Sequence, residues 1–432
     1  MRILYCASEA NPFCGSGGLA DVAGSLPHTL CRKGQDCRIV VPLYGTIPQE
    51  LKNSMNFITN FTVPVAWRHQ YCGLFWARWN DCTYYFIDNE YYFKRGTLYG
   101  HYDDAERFAF FSRAILEMLP YIDFHPDIIH CNDWQTALVP VYYYLFYSHR
   151  PWYYNIKSLF TIHNIQYQGE YGWEVNTECV GIPASETKIL EMNGKLNMMK
   201  GAIETADKVT TVSPSYAWEI LDPWYSYGMD RILRNRQYKL SGIVNGIDVD
   251  GYNPETDKII EKNYSAKSTT GKKVCKAKLL EELGLQEGNE PLIGIVTRFV
   301  SHKGIDLIRY VFEDLIRAGF KFAILGSGEK IYEDFFKEME SRYRDKVSVS
   351  LGFIPELSRK IYSGADMFLM PSQSEPCGLA QMIAMRYGTI PIVRETGGLR
   401  DTVRDCGGEN GNGFTFKTYN ACLLYTSPSP RD

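Results

Sequence analysis

The 432 residues contain no apolar run of the roughly 20 positions that a bilayer span needs. They lack HExxH and any clustered Cys/His pattern, so neither a catalytic nor a structural metal has support. Twelve cysteines are present but scattered singly, with no CxxC pair, which argues for reduced thiols over a disulfide framework. The chain opens Met-Arg-Ile-Leu-Tyr-Cys, which reads as a first strand and not as a leader. Strong charge is missing too. The formal net charge of −4 gives no bulk attraction to nucleic acid or to a membrane surface. These absences leave a cytoplasmic globular protein as the expectation.

Aromatic residues are what the chain has in plenty, with 31 Tyr, 22 Phe and 8 Trp. Tyrosine-rich cores account for most of them, although Tyr and Trp also stack on sugar rings. A length of 432 residues exceeds one compact core, and two domains are expected.

Short apolar runs at 2–7, 36–42, 127–130, 158–163 and 208–213 read as buried strands. The stretches 18–33, 104–119 and 198–206 read as helices between them. This alternation predicts a doubly wound, mostly parallel α/β sheet. Residues 56–88 break it with alternating aromatic stretches, read as an inserted hairpin. The first domain is expected to close at Asn245-Gly246-Ile247-Asp248, giving domains of 1–248 and 249–421. After a lysine-rich connector and helix, strands are expected at 292–297, 322–326, 347–351, 367–371 and 390–394. That pattern is a second, Rossmann-like domain. Residues 422–432 show no helical periodicity and read as a non-native tail on a truncated chain, a natural disordered tail being the alternative.

One phrase occurs twice, as Ser16-Gly17-Gly18-Leu19-Ala20-Asp21 and as Thr396-Gly397-Gly398-Leu399-Arg400-Asp401. Each follows an apolar run and opens an amphipathic stretch, so each reads as a strand-to-helix turn suited to a phosphate. The first copy, with Gly15, also fits the GxGxxG/A dinucleotide fingerprint. The second strand nevertheless ends Val41-Pro42-Leu43-Tyr44, without the acid a cofactor ribose needs. A nicotinamide oxidoreductase is disfavoured on that count.

Four further sites stand at the carboxyl ends of expected strands, and each has a plainer reading beside the functional one. Arg298 and Lys303 suit a pyrophosphate as fork and point charge, or are solvated surface cations. Glu375-Pro376-Cys377-Gly378-Leu379 places a carboxylate and a turn where open sheets bind ligands, or caps a helix with Ser372 or Ser374. His163 before Asn164 suits a hydroxyl, or is a structural histidine. Asp133-Trp134 pairs an acid with a sugar-stacking ring, or Asp133 is an N-cap.

Taken in order, the words SGGLADV, HCNDWQTAL, TIHNIQYQG, VNGID, TRFVSHKG, PSQSEPCGL and RETGGLRDTV resemble the ADP-glucose-using glycogen/starch synthase family of retaining glucosyltransferases. The resemblance implies the GT-B architecture, two Rossmann-like domains facing a cleft, with donor nucleotide in the second and acceptor glucan in the first. It implies transfer of glucose from ADP-glucose to the non-reducing end of an α-1,4-glucan, with retention and with no metal or other cofactor. Retention without an enzymic nucleophile is usually described as same-face attack through an oxocarbenium-like ion pair, served by positioning and charge stabilisation.

By that match Arg298 and Lys303 would hold the pyrophosphate, Glu375 the glucosyl hydroxyls, and His163 the donor sugar near the reacting carbon. Gly17, Gly18, Asn245, Gly326, Phe353, Cys377, Gly378, Leu379, Thr396, Gly397 and Gly398 would complete the donor side, with Phe353 against adenine. Asp21, Tyr99, Asp133 and Trp134 would line the acceptor side. Two departures stand out. Gly15 occupies the place of the family's lysine, and Ala380 that of a frequent threonine. Weakened donor affinity or altered nucleotide choice is the expected consequence. A related enzyme using UDP-glucose and a catalytically silent glucan binder are the alternatives.

Overall fold

The structure is a computed structural model and describes residues 1–426. The chain divides into two compact units, Met1–Gly246 and Ile247–Asp432.

The first unit is built on a nine-stranded sheet. Its parallel part runs in the spatial order Leu240–Gly242, Lys208–Thr211, Lys157–Ile162, Ile128–Asn132, Arg2–Cys6, Asp36–Pro42, Cys82–Asp88. The antiparallel strands Arg68–Trp79 and Asn56–Val65 extend one edge. The aromatic insertion is therefore divided. Cys82–Asp88, buried almost throughout, pairs antiparallel with Arg68–Trp79 on one side and parallel with Asp36–Pro42 on the other, so it joins the three-stranded antiparallel meander to the parallel sheet. The chain's first strand lies beside Ile128–Asn132, so the direction of winding reverses between these two. A small antiparallel sheet of Glu170–Tyr171, Lys195–Asn197 and Glu191–Met192 was not foreseen, because such short strands carry no periodic signal.

The helix Asp104–Glu117 buries residues around most of its circumference, Arg107 among them. The Arg107 guanidinium pairs with Asp104 at 2.5 Å and donates to the carbonyls of Tyr92 and Leu98. A buried cation needs such partners. Here they pin the segment that leads directly into Tyr99.

The second unit has six parallel strands in the order Val347–Leu351, Lys321–Gly326, Leu292–Val296, Met367–Met370, Ile390–Arg394, Phe414–Phe416. Numbered along the chain this is the 3-2-1-4-5-6 order of a dinucleotide-binding domain. Its switch point falls between Leu292–Val296 and Met367–Met370. The helix Ile305–Arg317 shows how sequence builds this layer. It buries Ile305, Leu307, Ile308, Val311, Phe312 and Ile316 along one side, with Asp306 in its first turn and Arg317 in its last. Phe312 packs on Phe322 of the sheet with ring centroids 4.4 Å apart. Burial of each such side chain is worth about 1.5–3 kcal/mol.

Phe414–Phe416 closes the sheet against Ile390–Arg394, and a short helix, Ala421–Tyr425, follows it. This corrects the reading of 422–425 as non-helical. The Asn420 side chain caps the helix by accepting from the Cys422 N–H, and Leu424 is buried in the cluster that holds Phe312 and Phe416. A single turn is too short to show periodicity. Residues 427–432, and the reading of them as a non-native tail, lie outside the described residues. Among the described residues no helix is long and apolar enough to cross a membrane.

Candidate active site

In the second unit the donor-side candidates follow the carboxyl ends of parallel strands, where open α/β sheets bind ligands. Arg298 comes after Leu292–Val296, Phe353 after Val347–Leu351, Glu375 after Met367–Met370 and Thr396 after Ile390–Arg394. Gly326 ends its own strand because nothing larger fits: a Cβ there would lie 1.9 Å from the Thr297 carbonyl oxygen. Arg298 is exposed and its guanidinium makes no hydrogen bond or ion pair among the described residues. Phe353 is 90% exposed, an open aromatic face one residue past Gly352, whose N–H donates to the Gly326 carbonyl.

Lys303 and Glu375, five and seventy-seven residues past Arg298, form one buried ion pair. Lys303 Nζ donates to Glu375 Oε2 at 2.6 Å, and Ser372 Oγ donates to the same oxygen at 3.2 Å. Glu375 Oε1 accepts from no protein group among the described residues. The two loops are zipped by the Gln373 N–H on the His302 carbonyl, 2.8 Å. Gly304, at φ +78°, permits this approach, since a Cβ would stand 2.2 Å from the Pro371 carbonyl oxygen. Burial, with the adjacent Lys303 charge, pushes the His302 imidazole down to about 4, so it stays neutral at pH 7. Arg394, buried, holds the loop from behind by donating to the carbonyls of Ser372 and Lys417 at 2.9 and 3.2 Å.

The Gly-Gly turn of this unit packs on the Glu375 segment. Gly398 N–H donates to the carbonyls of Glu375 and Pro376, both at 3.1 Å. A Cβ on Gly397 would sit 2.0 Å from the Glu375 carbonyl oxygen, and one on Gly398 2.2 Å from that of Cys377. Gly378, at φ +72°, is steadied by Gln381, whose Nε2 donates to the carbonyls of Cys377 and Gly378. Leu379 leads directly into the helix Ala380–Arg386.

In the first unit Gly17 and Gly18 follow Arg2–Cys6, Asp133 and Trp134 follow Ile128–Asn132, and His163 follows Lys157–Ile162. Asn245 lies three residues past Leu240–Gly242, partly buried. The glycine turn is exposed from Gly15 to Gly18 and is backed by Glu9, a carboxylate the sequence reading missed. Glu9 Oε2 accepts from the Ser16 N–H and hydroxyl, both at 2.7 Å. Burial pushes its carboxyl up to about 7 against those two donors. The signal available in the sequence was an acid three residues past the first strand. Asp21, in the helix's first turn, accepts from Asn11 Nδ2 at 2.8 Å, and Tyr99 reaches Ser8 Oγ at 2.7 Å.

Asp133 is not a side-chain cap for the turn it precedes. Its carboxylate accepts instead from the backbone N–H of His163 at 2.7 Å and of Asn164 at 3.3 Å. Burial lifts this carboxyl to about 7 as well. The residue holds φ +56°, ψ 179°, a region close to glycine-only, and such strain gathers at functional sites. The Trp134 indole is largely buried against Phe108 and Tyr171, and a Cβ on Gly169 would fall 2.7 Å from it. His163 is partly buried, its imidazole driven down to about 4 by desolvation.

Residues 2–235 match the family model described as starch synthase catalytic domain, and 280–424 that of glycosyl transferases group 1. The chain belongs to the glycogen/starch synthase family of glycosyltransferases. It is 50% identical over 428 residues to a glycogen synthase of Clostridium botulinum (strain Alaska E43 / Type E3), covering 98% of this chain and 89% of that one. It is 47% identical over 432 residues to the glycogen synthase of Geobacillus stearothermophilus, with 99% and 89% covered. Among solved structures it is similar to the catalytic domain of starch synthase IV from Arabidopsis thaliana, bound to ADP and acarbose. That match has a TM-score of 0.92 at 35% identity and covers 98% of this chain and 90% of the other. The fold is thus GT-B, with two Rossmann-like domains, and this glycogen/starch synthase homologue is a glycosyltransferase.

Proposed function

We propose that this glycosyltransferase moves glucose from ADP-glucose to the non-reducing end of an α-1,4-glucan with retention of configuration, in the cytoplasm. The observation that carries the reading is the charge arrangement at the switch point of the second unit. Arg298 is an exposed, unpaired cation, while Lys303 is fixed on Glu375 at 2.6 Å. The pairing has two chemical consequences. Lys303 cancels the Glu375 charge that would otherwise repel a pyrophosphate. It also leaves two ammonium N–H groups for phosphate oxygens, because Glu375 takes only one.

Departure of ADP leaves negative charge on the β-phosphate, and Arg298 with Lys303 stabilises that charge in a preorganised way. Glu375 Oε1 accepts from glucosyl hydroxyls, and Phe353 offers a face to adenine. The ADP bound by the starch synthase IV structure supports an adenine nucleotide. In the first unit Asp21, Tyr99 and Asp133 serve the acceptor, and His163 the donor sugar. The free thiols of all twelve cysteines fit a reducing compartment.

Incubation with glycogen and radiolabelled ADP-glucose or UDP-glucose tests the reading. Incorporation from ADP-glucose supports it. Incorporation from UDP-glucose alone transfers the case to the related-enzyme reading, and Gly15 in the family's lysine place is the observation behind that. Glycogen binding without incorporation from either donor indicates a silent binder.

A further inference from the structure

His163 is held by a group that its assigned role does not use. Asn132, the last residue of Ile128–Asn132, is fully buried. Its Nδ2 donates to the carbonyls of Cys6 at 3.0 Å and His130 at 3.3 Å. Both amide protons are thereby directed at oxygens, which fixes which end of the amide is which. Oδ1 points the other way, accepts from Tyr5 Oη at 3.0 Å and stands 2.9 Å from His163 Nε2. An amide oxygen only accepts, so His163 Nε2 carries the proton. Desolvation holds the imidazole at about 4, so the ring is neutral and Nδ1 keeps its lone pair. Nδ1 makes no hydrogen bond to protein among the described residues.

We propose that Asn132, backed by Tyr5, is a positioning residue for glucosyl transfer that locks His163 as the neutral Nε2–H tautomer. Nδ1 is then an acceptor aimed at a hydroxyl of the donor glucose and cannot donate to it. This inference rests on the proposed transfer reaction and deepens it, since it says which hydrogen-bonding sense the histidine offers.

The surroundings are consistent with a lock that must be enforced. Tyr5 is itself fully buried and its ring meets His130 edge-on, with centroids 4.7 Å apart. His130 is occupied by Thr161 Oγ1 at 2.7 Å, and burial pushes it down to about 3. Asp133 faces the backbone N–H of His163, not the ring. No other titratable group reaches the imidazole through a hydrogen bond among the described residues.

The test combines a spectrum with a mutant cycle. Long-range 1H–15N correlation of histidine-labelled protein should show one ring with Nε2 protonated and Nδ1 bare from pH 6 to 8, absent in His163→Ala. In Asn132→Ala that ring should become a tautomer mixture, and kcat should fall about 10- to 100-fold with the glucan KM unchanged. Asn132→Ala in the His163→Ala background should cost less than twofold more. Tyr5→Phe, which keeps the Asn132 contact, should lose less than tenfold and serves if Asn132→Ala does not fold. An Nδ1–H or cationic ring at pH 7 in the wild type overturns the lock. So does an equal loss from Asn132→Ala with and without His163. The spectrum needs no turnover, so a chain that transfers no glucose fails the functional reading without deciding the tautomer.

Discussion

In the first unit Gly15 to Gly18 are exposed, and a Cβ on Gly17 would meet only Glu9 Oε1, at 3.9 Å. In the second unit Gly397 and Gly398 are buried, and a Cβ on either would come within 2.0–2.2 Å of a carbonyl oxygen. The sequence presents these as copies of one phrase with one task. The structure separates them. The first is an open strand-to-helix turn with a buried acid beneath it. The second is a packing device that seats one loop on another so that Glu375 can meet Lys303. Identical small residues therefore mark access in one place and close backbone contact in the other.

The largest test of that contrast is an alanine at each position. Gly398→Ala forces a backbone collision that no rotamer relieves and should cost about 3 kcal/mol or more, because overpacking at backbone is not relaxed cheaply. It should lower the thermal midpoint and reduce ADP-glucose kcat/KM at least 100-fold. Gly17→Ala should change stability by less than about 0.5 kcal/mol. Similar losses at both sites, read by calorimetry and donor kinetics, would erase the distinction.

A second test separates the free cation from the paired one. Arg298→Gln removes an exposed group with no protein partner, so folding should be untouched while kcat falls about 10²- to 10³-fold. Lys303→Met strands a buried carboxylate and should also destabilise the unit, by about 3–5 kcal/mol. Equal thermal midpoints for the two variants would argue against the buried pair.

The strands, the helices between them and the placement of candidates after strand ends were legible because a parallel sheet leaves continuous apolar runs. What lay outside the sequence was every contact between loops distant in the chain. Lys303 and Glu375 are seventy-two residues apart and were assigned to phosphate and sugar separately. Glu9 was passed over because burial, not spacing, makes it unusual. The burial of Trp134 is equally hidden, since a tryptophan beside an acid reads alike whether its ring is covered or open. Asn132 stood inside a motif read for its neighbours, and only the direction of its amide gave it a role.

Glu9 gives the first turn a pH signature that the second lacks. Its carboxyl is raised from the ordinary 4.5 to about 7, so the folded state holds a proton that the unfolded chain releases. The associated stability is complete below about pH 4.5 and is lost as pH rises through 7, amounting to about 3 kcal/mol at most. Histidines 130, 163 and 302 oppose it, because their lowered values remove stability as pH falls from 6.5 towards 4. Glu9→Gln should therefore flatten the alkaline side of the stability profile and leave the acid side in place. A urea midpoint that still declines from pH 5 to 8 by the wild-type amount would assign the loss elsewhere, with Asp133 the next candidate.

The smallest expected effect concerns Gly15, two residues ahead of the first glycine pair. Its counterpart in the second copy, Glu395, is tied by Thr415 Oγ1 at 2.8 Å, whereas Gly15 has no side chain to tie. A Cβ at Gly15 would lie 2.7 Å from both Ala20 Cβ and Asn11 Oδ1, so a side chain at this exposed position fits only if those neighbours shift. Gly15→Lys should cost about 1–2 kcal/mol as the exposed loop shifts to admit the side chain. If the turn is the open, ligand-facing one, the added ammonium should nevertheless lower the KM for ADP-glucose a few-fold, and the gain should fade at high salt. Unchanged constants for both ADP-glucose and UDP-glucose, in a variant that folds, would show that position 15 does not tune the donor. The open turn would then differ from the packed one in tolerance to substitution but not in contact with the nucleotide.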